Sequence, residues 1–99
     1  MTSHPNRPQA SPTVQVENAR TIITQWRFAP EAETGWHRHG MDYIVVPMTT
    51  GKLLLEEPGG GSRSVLVPAG TAYQRSEGVE HNVVNGGVAP MSFVEVELK

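Results

Sequence analysis

A chain of 99 residues suits one domain with a small core, and its 37% hydrophobic and 18% charged residues are typical of a globular fold. A net charge of −2 without a basic stripe argues against a nucleic-acid partner, and no apolar run approaches the roughly 20 residues of a membrane span. The absence of cysteine excludes disulfides, thiolate ligands and a cysteine nucleophile, and a cytoplasmic protein is expected.

The first segment, residues 1–12, contains three prolines among Ser, Asn, Gln and Thr. It is predicted to be a flexible arm, either loose or lying across a partner subunit. Residues 13–99 are predicted to form a single all-β domain, because short segments rich in Val, Ile and Thr alternate with turns and none shows a helical period. The predicted strands are 13–16, 20–28, 36–39, 43–47, 52–56, 63–67, 71–75, 79–85 and 91–98. Strands this short and closely spaced predict a double-sheet jelly roll or a closed barrel.

Several predicted strands carry apolar residues on both faces. In the last strand, Val94, Val96 and Leu98 share one face, and Phe93 shares the other with Glu95 and Glu97. The two glutamates are expected on a solvated or interface face rather than in a site. Because so small a domain has apolar residues left over, we expect one sheet to be covered by a second copy in a homodimer.

The stretch His37-Arg38-His39 carries the strongest chemical signal in the chain. On a strand the two histidines point to the same side, about 6.6 Å apart along the backbone, and two imidazoles so placed can share a metal ion. His81 is then the candidate third ligand, since His4 belongs to the predicted arm. The alternative is a pair of solvated polar side chains on an exposed strand.

Two sequence patterns resemble the motifs of the cupin superfamily. The first motif has the form G-x5-H-x-H-x3,4-E-x6-G; His37 and His39 match it, Gly51 lies one residue late, and Glu31 and Tyr43 replace its opening glycine and its glutamate. The second motif has the form G-x5-P-x-G-x2-H-x3-N. Four of its five positions match with the spacing intact, and Ser76 replaces the proline; the matching residues are Gly70, Gly78, His81 and Asn85. The chain is also similar to small single-cupin proteins of β-alanine degradation.

The resemblance implies a double-stranded β-helix barrel with a metal held by His37, His39 and His81. It implies a divalent transition metal, Fe²⁺ first, with Ni²⁺, Mn²⁺ or Zn²⁺ as alternatives, because three-histidine cupins include dioxygenases. Without the glutamate, three neutral imidazoles would leave the ion its full charge, which favours a small substrate with negative oxygens, such as an enolate, a β-dicarbonyl or a carboxylate.

Tyr43 is the candidate catalytic residue, as a neutral hydrogen-bond donor or as an ionised ligand, although a packing role is an alternative. Four further side chains are candidates for contacting the substrate from neighbouring strands: Gln25, Arg27, Tyr73 and Arg75.

Three functions are compatible with these residues. The first is a dioxygenase-like enzyme with substrate and O₂ at open metal positions. The second is a non-oxidative isomerase or lyase in which the metal stabilises an enolate and Tyr43 moves the proton. The third is a small-ligand-binding barrel without turnover, which the fold allows equally.

Overall fold

The computed structural model describes residues 6–99 of the chain. Its strands are β1 (Ser11–Glu17), β2 (Thr21–Phe28), β3 (His37–Arg38), β4 (Asp42–Pro47), β5 (Gly51–Glu56), β6 (Ser62–Val67), β7 (Tyr73–Arg75), β8 (Glu80–Asn85) and β9 (Met91–Leu98). A single 3₁₀ turn at Pro58–Gly60 lies in the glycine-rich loop between β5 and β6, and residues 6–99 contain no α-helix. None of these residues therefore forms a helix long and apolar enough to cross a bilayer. The all-β prediction is confirmed.

The strands form two antiparallel sheets, of order β1-β2-β9-β4-β7 and β3-β8-β5-β6. Strands that neighbour each other in a sheet are often distant in the chain, as β2 and β9 are, so the chain passes repeatedly from one sheet to the other. This is the arrangement of a jelly roll, as the sequence predicts.

The core lies between the sheets because each central strand turns alternate apolar residues inward. Phe28 of β2 and Phe93 of β9 are 1% and 4% exposed, with ring centroids 5.3 Å apart. Leu53 and Leu55 of β5 and Val83 of β8 meet them from the other sheet. Burial of one face per strand holds the register of the sheets.

The structure corrects the predicted orientation of β9. Phe93 belongs to the buried core, and Glu95 and Glu97 follow it on the same, inward face. Val94 and Val96 are therefore on the outer face of the five-stranded sheet, where they are half-buried. The expectation of a solvated or interface face for the two glutamates is wrong, because the alternating pattern allowed either face of β9 to be the inner one.

Half of the predicted arm is packed against the barrel. The backbone N–H of Ala10 donates to the carbonyl of Glu33 at 2.8 Å, Ala10 is 2% exposed, and β1 begins at Ser11. Nη1 of Arg7 forms two ion pairs, at 3.2 Å from Oε1 of Glu33 and at 3.2 Å from Oε1 of Glu56. Residues 6–12 therefore differ from the predicted flexible arm. Residues 1–5 lie outside the described residues, and for them the arm remains a prediction.

Two glycines of the second motif occupy turns that only glycine adopts easily. Gly70 and Gly78 have φ of 80° and 95°, in the left-handed region. The N–H of Gly78 donates to the carbonyl of His39 at 2.8 Å, so this turn holds a candidate metal ligand in place. Glu31, which replaces the opening glycine of the first motif, has φ of 68°, an uncommon value for a residue with a side chain.

Candidate metal centre

Strand pairing brings the three histidines together. His37 on β3 is the direct partner of His81 on β8. His39 lies just beyond the end of β3, and its N–H donates to the carbonyl of Val79 at 2.9 Å. The backbone thus places all three imidazoles at one end of the barrel.

The spacing of the ring nitrogens fits one metal ion. Nε2 of His39 lies 3.0 Å from Nε2 of His37 and 3.1 Å from Nε2 of His81. Ligands 90° apart on an ion with metal–nitrogen bonds of about 2.1 Å would be separated by about 3.0 Å. The cluster can therefore hold a divalent ion on one triangular face, with the remaining positions open.

The surroundings keep His39 and His81 neutral, which is the form that binds a metal. Burial, followed by the nearby His37, lowers the pKa of His39 to about 4 and that of His81 to about 3. At neutral pH their rings therefore carry a nitrogen lone pair that is available to an ion.

Hydrogen bonding orients the ring of His37. Its Nδ1 lies 2.9 Å from the carbonyl oxygen of Gly35, which can only accept, so Nδ1 carries the proton and Nε2 presents its lone pair to the cluster. Nδ1 of His81 is buried and has no hydrogen-bond partner among residues 6–99.

Asn82, next to His81, is fully buried, and its side chain accepts from the N–H of Gly35 and donates to Glu33 and Glu56. This polar network supports the strand segments that hold the ligands.

Tyr43 lies directly against the cluster. Its ring stacks on that of His39, with centroids 3.8 Å apart and an angle of 15° between the planes. The residue is 2% exposed, and its hydroxyl is buried with no hydrogen-bond partner among residues 6–99. Burial raises the pKa of the phenol, so Tyr43 is neutral in these surroundings and available as a proton donor.

Glu95 and Glu97 complete the site and were missed in the sequence. Ligand atoms of His39, Glu95 and Glu97 lie within 4.8 Å of one another. Burial, followed by the charge of Glu97, raises the pKa of Glu95 to about 7. One signal in the sequence could have found both residues. They alternate with Phe93 on one face of β9, and a phenylalanine is usually buried, so this face could have been expected to point inward.

Two cavities meet at this centre. A cavity of about 380 Å³ is bordered by His81 and Tyr43 and has largely apolar walls. Its walls include Leu53, Leu55, Val65 and Val67, and its lining also includes the polar residues Arg63, Tyr73 and Arg75. A second cavity of about 280 Å³ borders the other side of the cluster, at His37 and His39. The first has room for a small organic molecule beside the histidines.

The candidate substrate residues separate into two groups. Tyr73 and Arg75 line the larger cavity, and their contact with a substrate stays a prediction. Gln25 and Arg27 do not, because β2 turns Thr24 and Phe28 inward and these two side chains outward. Outside the barrel, a guanidinium N–H of Arg27 donates to the side-chain oxygen of Gln25 at 3.0 Å. For these two residues the prediction of a substrate contact is wrong.

Comparison with known proteins agrees with the fold and the cluster. No protein-family model matches the chain. It is 62% identical over 93 residues to the β-alanine degradation protein BauB of Pseudomonas aeruginosa, covering 94% of this chain and 97% of that protein.

Solved structures give the same answer. A cupin domain protein of Bordetella pertussis superposes with a TM-score of 0.91 at 57% identity, covering 95% of this chain and 97% of that one. The polyketide cyclase RemF of Streptomyces resistomycificus superposes with a TM-score of 0.71 at 20% identity, over 99% and 72% of the two chains, and shares the fold alone. From its barrel, its histidine cluster and its two relatives above 50% identity, the chain belongs to the cupin superfamily.

Proposed function

We propose that this chain is a metal-dependent enzyme that acts on a small anionic or dicarbonyl metabolite, with dioxygenase-like chemistry. The observation that carries the proposal is the triangle of imidazoles, with 3.0 and 3.1 Å between ring nitrogens, at the point where two cavities meet. His37, His39 and His81 would hold the ion. Fe²⁺ would supply oxygen activation there, whereas Ni²⁺, Mn²⁺ or Zn²⁺ would supply Lewis-acid chemistry.

The residues of the larger cavity support an anionic substrate. Arg63 and Arg75 provide positive charge, and guanidinium groups bind carboxylates through paired hydrogen bonds. The apolar walls at Leu53, Leu55 and Val65 would exclude water around the rest of the molecule. The name of the Pseudomonas relative refers to β-alanine, which is itself a small carboxylate, so small carboxylates are the first class of substrate to test.

Tyr43 favours a second candidate function, a non-oxidative isomerase or lyase. Its neutral hydroxyl is buried beside His39 and lacks a partner among residues 6–99, as expected of a group whose hydrogen bond forms only with a substrate. The two candidates are separated by turnover of the metal-loaded enzyme with and without O₂. Activity under strict anaerobiosis contradicts the dioxygenase-like reaction, and strict O₂ dependence contradicts the non-oxidative one.

Metal content tests what both candidates share. Elemental analysis of the purified protein should find a near-stoichiometric transition metal that is lost in His81→Ala and kept in Gln25→Ala, a control on the outer face of the barrel. Absence of metal from the wild-type protein, even after reloading, would contradict the proposal. The chain would then be a ligand-binding barrel.

We also propose that the chain forms a homodimer through the outer face of its five-stranded sheet. Ile23, Val96 and Ile44 are aligned across β2, β9 and β4 on that face, and all three are half-buried in a single copy. A second copy would remove this apolar row from water. Light scattering should give the mass of a dimer at micromolar concentration, and Val96→Lys should shift it toward the monomer. A wild-type monomer at that concentration would refute the proposal.

A further inference from the structure

Glu95 occupies a position between the two cavities. On β9 it pairs with Thr24 of β2 and Val45 of β4, in the middle of the five-stranded sheet, and follows Phe93 on the inward face. Three described residues line both cavities, namely Val83, Phe93 and Glu95. Glu95 is the ionisable one of the three, so a molecule or ion in either cavity is within reach of its carboxylate.

The carboxylate lies next to the histidine triangle. His39 belongs to the triangle with His37 and His81, and also to a second group with Glu95 and Glu97, whose ligand atoms lie within 4.8 Å of one another. His39 thus links the carboxylates of β9 to the histidine triangle, and Glu95 approaches the triangle from the side of His39. A nitrogen–oxygen group of this composition is what a divalent iron, manganese or zinc ion binds in proteins without thiolates.

No group on β4 supplies a carboxylate to this volume. Tyr43, Val45 and Pro47 are its buried, inward positions, and Asp42 is exposed with its Oδ1 accepting from the N–H of Glu77 at 2.8 Å. β9 is the direct neighbour of β4 and turns its own carboxylates inward. The negative charge of the site therefore comes from β9.

Glu95 lacks a compensating partner in the part of the chain that the structure describes. Among residues 6–99, no side chain forms an ion pair with it, and it accepts no side-chain hydrogen bond. Placing a carboxylate in a partly dry interior is costly unless a cation or donor meets it. A further buried polar atom at the same centre, the hydroxyl of Tyr43, also lacks a partner among residues 6–99. Unpartnered polar groups beside one cluster indicate a site built around a ligand.

We propose that Glu95 is the fourth protein ligand of the metal site and supplies its carboxylate from β9. This inference rests on the proposed metal-dependent function. Glu97 lines only the second cavity, whereas Glu95 also lines the larger one. Glu95 is therefore the better placed of the two to face a substrate in the larger cavity. One carboxylate would halve the charge of a divalent ion and leave the substrate to supply the remainder.

Titration with Co²⁺, a spectroscopic substitute for the native metal, tests the assignment. Glu95→Gln keeps the size of the side chain and removes its charge, and Glu17→Gln, on the exposed strand β1, is the control that makes the same change away from the site. The expected result is an affinity at least tenfold weaker in Glu95→Gln, with a changed visible absorption band, and an affinity within about twofold of wild type in Glu17→Gln. Thermal unfolding of the metal-free proteins checks that both variants fold.

The outcomes separate this inference from the function on which it rests. Wild-type protein that binds no Co²⁺ overturns the metal site itself, and Glu95 with it. Tight binding by the wild type together with unchanged affinity and spectrum in Glu95→Gln overturns the role of Glu95 and leaves the three-histidine site standing. An equal loss of affinity in Glu17→Gln and Glu95→Gln also overturns the assignment.

Discussion

Replacing Tyr43 by phenylalanine should stabilise the metal-free protein. The substitution removes one oxygen atom and leaves the ring that stacks on His39 at 3.8 Å between centroids. That oxygen is buried and has no hydrogen-bond partner among the described residues. Most substitutions of buried residues destabilise a protein, so the predicted direction is unusual and specific to this hydroxyl.

The magnitude follows from the cost of an unsatisfied polar group. A buried donor without a partner costs about 1–3 kcal/mol, because its hydrogen bonds to water in the unfolded chain are not replaced. Tyr43 is 2% exposed, so little of this cost is relieved by solvent. Removing the oxygen leaves a small void that offsets part of the gain. We expect a net stabilisation of about 1 kcal/mol, which in a domain of this size raises Tm by about 4–8 °C.

Differential scanning calorimetry of the metal-free proteins measures the effect. Tyr73→Phe is the matched control: Tyr73 lines the same cavity, but its hydroxyl is not among the buried atoms without a partner. Its free energy of unfolding should change by less than about 0.5 kcal/mol, so its Tm should change little. A Tm of Tyr43→Phe several degrees below wild type would refute the reasoning, because the hydroxyl would then have a partner that stabilises the fold.

Two further perturbations test the electrostatics of the fold. In the metal-free protein, the pKa values of His39 and His81 are lowered to about 4 and 3, and the pKa of Glu95 is raised to about 7. The two histidines therefore make the protein less stable as pH falls below about 6.5, and the protonation of Glu95 offsets part of this loss. Urea unfolding should therefore show stability rising by about 1.4 kcal/mol per pH unit from about pH 4.5 to 6, whereas a flat profile would contradict the pKa shifts. Arg7→Gln should cost about 1.5–3 kcal/mol in the same assay, because it removes the guanidinium that Glu33 and Glu56 share, while the hydrogen bonds from Asn82 to both carboxylates remain. The control Arg63→Gln, which breaks an ion pair whose side chains are 51% and 34% exposed, should cost less than about 1 kcal/mol, and an equal loss in both variants would argue against a structural role for Arg7.

Local sequence predicts the strands of this protein well and their faces poorly. Short segments of alternating β-branched residues indicate strands regardless of their neighbours, and all nine predicted segments overlap observed strands. Gln25 and Arg27 were nevertheless expected at the site and lie outside the barrel. β2 and β9 carry apolar residues on both faces, and alternation alone does not say which face is the inner one.

The segment before β1 illustrates a second limit. Its prolines and polar residues predict a flexible arm, since no local pattern indicates burial. Residues 6–12 are held instead by partners distant in the chain, through the ion pairs of Arg7 with Glu33 and Glu56 and the hydrogen bond of Ala10 to Glu33. A charge that meets its partner only in the folded state leaves no periodic signal in the sequence.

By itself, the sequence determined the fold class and the three candidate metal ligands, because strand alternation places His37 beside His39 and the motif spacing singles out His81. Only the tertiary structure decided what surrounds them. Pairing of β3 with β8 brings the ring nitrogens to 3.0 and 3.1 Å, and the placement of β9 beside β4 turns Glu95 and Glu97 toward the same centre. The physical reason is that a strand has two chemically similar faces, and its inner face is selected by long-range pairing rather than by the residues of the strand.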